Sequence, residues 1–133
     1  MEQIPYLVVL VLLGWHWFAD FVLQTHEQAV NKSKSFSYLL DHTVTYSVSW
    51  WAPMTIIFWW HSNFIFGIWL GMLFMIITFL LHTLTDYFTS KLNARLWKEE
   101  RTHDFFVAVG FDQVLHYIQL FVTYKILIEL IKI

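Results

Sequence analysis

Histidine and aspartate recur at a fixed spacing in an otherwise apolar sequence. Three pairs have their two residues four positions apart, and in the third pair the order is reversed. Because residues four apart lie on one face of an α-helix, each pair would present an imidazole and a carboxylate side by side. The three pairs and one further histidine are His16 and Asp20, His82 and Asp86, Asp112 and His116, and His42.

These seven side chains form a ligand set typical of a divalent metal site. Neutral imidazole and carboxylate bind zinc, manganese and iron, with zinc the first choice here. Seven ligands exceed the four of one tetrahedral ion, so the pattern predicts either two ions or one ion whose histidine rings are oriented by the remaining aspartates. An aspartate that does not bind metal could act as a general base, which makes Asp20, Asp86 and Asp112 candidate catalytic residues.

The composition indicates an integral membrane protein. Of 133 residues, 58% are hydrophobic, 20% aromatic and 14% charged, whereas soluble domains are about 45–50% apolar and about 25% charged. The length predicts a single domain, residues 1–133. A net charge of −2 argues against nucleic acid as a partner, and the absence of cysteine excludes disulfides and thiolate metal sites.

Four apolar segments are long enough to cross a lipid bilayer as helices, which takes about 20 residues each. They cover residues 4–24, 38–60, 64–89 and 104–131. Six of the eight lysines and arginines lie in the connections at 25–37 and 90–103, and the short turn at 61–63 has none. The positive-inside rule places the basic connections in the cytoplasm and both termini on the other side. The predicted fold is therefore all-α, a transmembrane four-helix bundle with up–down topology.

All seven candidate ligands fall at one depth in this bundle. Counted from the cytoplasmic ends of the spans, they lie roughly 5–18 Å below that face. Ionisable groups inside a membrane are costly and mark functional sites by default. Hydrogen-bonded His–Asp pairs could instead serve only to join helices, but their common depth favours a functional centre.

Polar residues near this layer are candidates for binding a small anionic or lipid-linked substrate. Lys32, Lys91 and Arg95 lie in the cytoplasmic connections, where they could hold a phosphate. Gln24 continues the helix face that carries Asp20. The alternative is that the three cations serve only to orient the chain in the membrane.

A combined motif extends from His16 to His116. It comprises His16-x-x-x-Asp20-Phe21-x-Leu23-Gln24, Lys32, His42-x-x-x-Tyr46, His82-x-x-x-Asp86-Tyr87, Lys91 and Phe111-Asp112-Gln113-x-x-His116. The motif resembles a small bacterial and phage membrane family catalogued as domain of unknown function 3307. This resemblance implies a multi-pass protein, placed in the bacterial inner membrane, whose characteristic residues are the seven candidate ligands. The chain is more loosely similar to membrane-bound metal-dependent hydrolases, which implies hydrolysis by analogy alone.

Four functions agree with these features. The first is a metal-dependent hydrolase acting on a phosphoester or lipid-linked substrate at the cytoplasmic face. The second is a transporter or channel for protons or divalent cations, although the far halves of the first and third spans are almost purely apolar. The third is a b-type cytochrome with two histidines on haem, and the fourth is a non-catalytic phage or host membrane factor. We favour the hydrolase and leave the oligomeric state open, with a homo-oligomer as one alternative.

Overall fold

The chain is all-helical, with no β-strand among residues 4–132, which the computed structural model describes. Residues 1–3 and 133 of the predicted domain lie outside the described residues. α1 continues into a π-helical turn, α5 into a 3₁₀ turn, and the main packing is of α3 on α4 and of α4 on α5. The elements are α1 (Tyr6–Trp17), the π turn (Phe18–Val22), α2 (His26–Asn31), α3 (Phe36–His61), α4 (Phe64–Lys98), α5 (Thr102–Glu129) and the 3₁₀ turn (Leu130–Lys132).

α4 is longer than the span predicted at 64–89 and ends only at Lys98. The segment after the span contains neither glycine nor proline and is rich in good helix formers, so the helix persists after the apolar stretch ends. α4 ends two residues before Glu100, whose φ of 57° is left-handed. The sequence analysis placed Lys91 and Arg95 in a connecting loop, but both lie on α4.

The first polar connection also contains a helix that the sequence analysis does not predict. The Thr25 side chain accepts a hydrogen bond from the N–H of Gln28 at 3.2 Å, and the Gln28 side chain accepts one from the N–H of Thr25 at 2.9 Å. This capping box satisfies amides at the start of α2. α2 is only six residues long and is followed directly by Lys32. The Lys32 side chain reaches Asp86 on α4.

α3 and α4 form a hairpin in close contact. Asn63 caps α4, its side chain accepting a hydrogen bond from the N–H of Phe66 at 3.0 Å. Gly67 and Gly71 then lie four residues apart on the face of α4 that meets α3, a spacing that lets two helix backbones approach closely. A Cβ atom on Gly67 would lie 2.7 Å from the backbone nitrogen of Trp59.

Replacing Gly67 by alanine is therefore expected to destabilise the protein by about 1–3 kcal/mol, because the α3 backbone must move to admit the methyl group. Gly110 on α5 is the matched control, since a Cβ there meets nothing within 4 Å. Alanine is the better helix former, so Gly110→Ala is expected to be neutral or stabilising. Thermal unfolding in detergent compares the two variants, and equal midpoints would show that the hairpin tolerates a side chain at Gly67.

Pro53 interrupts the hydrogen bonding of α3 in mid-helix. Proline has no N–H, so the carbonyl of Ser49, four residues earlier, loses its helical partner. The indole Nε1–H of Trp15 donates to this carbonyl at 3.1 Å. The bond joins α1 to α3 at Trp15, which directly precedes His16.

Two described helices, Phe64–Lys98 and Thr102–Glu129, are long and apolar enough to cross a membrane. The apolar segment Tyr6–Val22 is shorter. These are properties of length and composition, and the predicted four-span topology stays a prediction. Many large apolar side chains on the outside of the helices are exposed, among them Trp60 and Trp69.

Candidate metal centre

Four of the seven candidate ligands converge in a buried cluster. The Nε2 atom of His42 lies 3.1 Å from Oδ1 of Asp20 and 3.4 Å from Oδ2 of Asp86. The Nε2 atom of His82 lies 3.5 Å from the same oxygen of Asp20 and 3.7 Å from that of Asp86. The two Nε2 atoms are 3.3 Å apart. The π turn, α3 and α4 thus bring two imidazoles and two carboxylates around one point.

These distances match a tetrahedral metal site. An ion bound at about 2.0–2.1 Å by four atoms holds those atoms about 3.3 Å from one another, and five of the six separations here run from 3.1 to 3.7 Å. One atom from each of the four residues could therefore ligate a single ion. All four side chains are buried, so the cluster is formed by packing and not by flexible surface groups.

A local distortion of the backbone positions Asp20. The N–H of Leu23 bonds to the carbonyl of Phe18 at 3.0 Å, five residues back, where an α-helix would bond four residues back. Such π turns are rare and occur frequently at functional sites. Asp20 lies in the middle of this turn and is only 5% exposed.

Asp86 also belongs to a second group of possible ligands. Its Oδ1 lies 3.1 Å from Nε2 of His116, and that nitrogen is 3.3 Å from Oδ1 of Asp112. Asp86, Asp112 and His116 could hold a metal ion as well. Since Asp86 is common to both groups, it connects the two halves of the cluster.

A hydrogen bond to Asp86 fixes one proton on His116, and His116 in turn is hydrogen-bonded to His82. A carboxylate only accepts, so Nε2 of His116 donates to Asp86. The Nδ1 atom of a neutral His116 is then an acceptor, and Nδ1 of His82 donates to it at 3.1 Å. With His116 neutral, His82 presents an unprotonated Nε2, the form that binds metal, toward Asp20 and His42.

His16 lies beside the cluster but outside both groups. Its Nδ1 is 2.7 Å from the Tyr46 hydroxyl and its Nε2 is 2.9 Å from Oε1 of Gln113. The Gln113 amide donates to Oδ2 of Asp20 at 3.3 Å and to Oδ2 of Asp112 at 3.2 Å, which sets the orientation of the amide. His16 therefore carries its proton on Nε2 and accepts from the Tyr46 hydroxyl. The chain of bonds leads from Tyr46 through His16 and Gln113 to two carboxylates.

Replacing His16 by alanine is expected to weaken metal binding by about 10–100-fold without abolishing it, which is the usual effect of losing a partner that orients a ligand. Gln113→Leu is expected to give a similar shift, because Gln113 is the group through which His16 acts. Calorimetric metal titration of the detergent-solubilised variants measures both affinities. Complete loss of metal from the His16 variant alone would make His16 a ligand, as the sequence predicts.

Gln113 and Tyr46 belong to the motif from His16 to His116, but neither is among the predicted metal-binding, catalytic or substrate-binding residues. Tyr46 lies four residues after His42, so helical spacing places both on one face and could have indicated it. Gln113 directly follows Asp112, and neighbouring residues on a helix point in directions about 100° apart. Its role depends on how α5 is rotated against α1, which spacing does not show.

Lys32 adds a positive charge to the cluster. Its Nζ donates to Oδ2 of Asp86 at 2.8 Å. Burial lowers the pKa of Lys32, but attraction to Asp86 and Asp20 outweighs burial and raises the pKa above its usual value. With neutral imidazoles, the three buried carboxylates and this one ammonium leave two negative charges. One divalent cation would balance them, as buried charge requires.

A cavity of about 870 Å³ opens beside the cluster. Asp20, Asp112 and Gln113 line it from the side of the metal centre. The structure also brings to this cavity all four residues predicted to bind substrate, which are Gln24, Lys32, Lys91 and Arg95.

Fold and site together define an all-helical protein with a buried His–Asp centre that could hold a metal ion. The chain belongs to the family described as protein of unknown function DUF3307, whose model matches residues 7–132. This match confirms the family resemblance seen in the sequence, while the looser similarity to metal-dependent hydrolases stays a prediction. Neither a curated protein nor a solved structure matches the chain.

Proposed function

We propose that this protein is a membrane-embedded, metal-dependent hydrolase of a phosphoester or lipid-linked substrate. The observation that carries the proposal is the buried convergence of ligand atoms from Asp20, His42, His82 and Asp86, all within 4.8 Å of one another. The adjoining cavity, with its lysines and arginine, offers a place for an anionic substrate. A divalent ion lowers the pKa of a coordinated water and so supplies a nucleophile near neutral pH.

Asp20, His42 and His82 would hold the ion, and Asp86 would act as the general base. Hydrolytic metal sites commonly use two histidines and one carboxylate and keep a fourth position open. Both oxygens of Asp86 are already engaged, Oδ2 by Lys32 at 2.8 Å and Oδ1 by His116 at 3.1 Å. Asp86 is also farther than Asp20 from each imidazole. For Asp86 to act as the base, its Oδ2 has to leave the fourth ligand position so that a water can bind there, and the carboxylate would then take a proton from that water.

A single ion is better supported than two. A second ion on Asp86, Asp112 and His116 would have to share Asp86 with the first, because Asp86 is common to both groups of possible ligands. The two negative charges that remain beside Lys32 also match one divalent cation. His116 then orients the base from outside the metal site.

We place the centre near the cytoplasmic face of a bacterial inner membrane. α4 and α5 are long and apolar enough to span it, and α1 with its π turn and α3 would complete four spans with up–down topology. The cavity carries many of the basic residues that the positive-inside rule assigns to the cytoplasm, namely Lys32, Lys34, Lys91, Arg95 and Lys98. Both termini would then lie on the opposite side.

Transport and haem binding have less support. An ion path needs polar groups through the whole membrane, but Trp50, Phe58 and Phe74 fill the buried interior next to the cluster. The ring of Tyr46 stacks on that of His82 with centroids 3.8 Å apart. This packing leaves no space for a macrocycle at His82.

Elemental analysis of the detergent-solubilised protein tests the proposal. We expect about one equivalent of zinc, manganese or iron, removed by a chelator and restored on reloading. The loaded protein is expected to cleave phosphoesters, and the chelated protein is not. A folded, metal-free preparation that cannot be loaded would contradict the proposal and favour a network that only joins helices.

A further inference from the structure

Buried oxygen atoms without hydrogen-bond partners gather along the cavity. Three of the residues that line it each have one such atom: Oε1 of Gln24, Oγ of Ser90 and Oδ1 of Asn93. Buried polar atoms are rarely left unpaired, because the lost hydrogen bond to water is not replaced. The two amide oxygens only accept and the Ser90 hydroxyl can accept as well, so a ligand that pairs with all of them brings hydroxyl or amide hydrogens.

The same cavity is basic along its lining. Lys34 and Lys98 are in no ion pair within residues 4–132, and Lys91 lies over the ring of Tyr87 with its Nζ 3.4 Å from the centroid. Arg95 also lines the cavity. Several cations around one space favour a phosphate group over a neutral ligand.

Apolar side chains complete the wall. Phe21, Val30, Trp97, Phe105 and Val109 line the cavity, and the first three of these are exposed at the protein surface. A ligand in this space therefore meets acceptors, cations and apolar surface together. That combination matches a head group with hydroxyls and a phosphate, next to a surface on which an apolar chain could lie.

We propose that the cavity binds a phosphate ester whose head group carries several hydroxyl groups, as in a sugar or polyol phosphate. The phosphate pairs with the lysines and Arg95, and the hydroxyls donate to the buried oxygens of Gln24, Ser90 and Asn93. This inference rests on the proposed function for the step that follows binding, because the bound head group lies against Asp20 and Asp112. A free sugar phosphate and a lipid-linked one share this chemistry.

Calorimetric titration of the full chain in detergent compares glucose 1-phosphate with inorganic phosphate and with glucose. We expect glucose 1-phosphate to bind at least about tenfold more tightly than either, since only it satisfies both the cations and the acceptors. In lipid nanodiscs, phosphatidylinositol is compared with phosphatidylcholine, whose head group has no hydroxyl. Tighter binding in the lipid comparison alone identifies a lipid head group as the ligand, and tighter binding in the soluble comparison identifies a free one.

Two variants distinguish the contribution of the acceptor oxygens from that of the cations. The double variant Ser90→Ala, Asn93→Ala is expected to bind glucose 1-phosphate about tenfold more weakly and to bind inorganic phosphate with unchanged affinity. Lys91→Ala is expected to weaken both. Lys125→Ala is the control, because Lys125 lies outside the cavity lining and pairs with Glu129 at 3.0 Å.

The titrations are repeated with His82→Ala, so that binding is measured independently of hydrolysis. Binding without turnover in the metal-loaded protein would overturn the proposed hydrolase and leave the ligand assignment intact. Turnover of phosphoesters that lack hydroxyls, with no preference for hydroxyl-bearing head groups in either comparison, would overturn the ligand assignment alone.

Discussion

Replacing Asp86 by asparagine is expected to lower turnover by at least about a hundredfold while the protein keeps about one equivalent of metal. Asparagine retains the size of the side chain but cannot take a proton from water. The ion itself would stay on Asp20, His42 and His82, whose atoms lie 3.1–3.5 Å from one another. Elemental analysis and a phosphoester assay on the same preparation measure both quantities.

Two further variants make this result interpretable. Losing the charge of Asp86 leaves Lys32 without its partner, and breaking a buried ion pair costs about 3–5 kcal/mol. Asp86→Asn combined with Lys32→Met removes that penalty, and this double variant is expected to fold yet stay inactive. Asp104→Asn is the surface control, because Asp104 is half-exposed and pairs with Arg101. Loss of metal from both Asp86 variants would identify Asp86 as a fourth ligand and move the base elsewhere.

Helical periodicity predicted much of the candidate site because its histidine–aspartate pairs lie one turn apart, each on a single helix. His82 and Asp86 are such a pair, and so are Asp112 and His116. The common depth of these residues also predicted that they meet, and the structure brings them together around Asp86. The all-helical fold followed from the same apolar segments, although polar composition misplaced the end of α4.

The division of roles within the cluster depends on contacts between helices. His16 has the same spacing to Asp20 as His82 has to Asp86, yet its two nitrogens are occupied by Tyr46 and Gln113. Which pair could bind metal depends on how each helix is rotated, and one-dimensional spacing does not contain that rotation. The π turn around Asp20 is likewise invisible to a pattern that assumes an ideal α-helix.

Replacing His82 by alanine is expected to abolish metal binding and turnover together. The Nε2 atom of His82 faces the other three ligand atoms, at 3.3 Å from Nε2 of His42, 3.5 Å from Oδ1 of Asp20 and 3.7 Å from Oδ2 of Asp86. In the wild type, free metal at about a hundred times its dissociation constant adds about 2.7 kcal/mol to the stability of the folded state. The midpoint of thermal unfolding is therefore expected to rise with added metal in the wild type and to stay constant in the variant.

His103→Ala is the matched control, since His103 is exposed in the first turn of α5, nine residues before Asp112. It is expected to keep both the metal and the metal-dependent rise in midpoint. Asp20→Asn provides a second route to the same conclusion if the alanine variant fails to fold, because it removes a different ligand at similar volume. Should both His82→Ala and Asp20→Asn still be stabilised by metal as strongly as the wild type, the ion binds elsewhere, and the buried histidines and aspartates serve to join the helices.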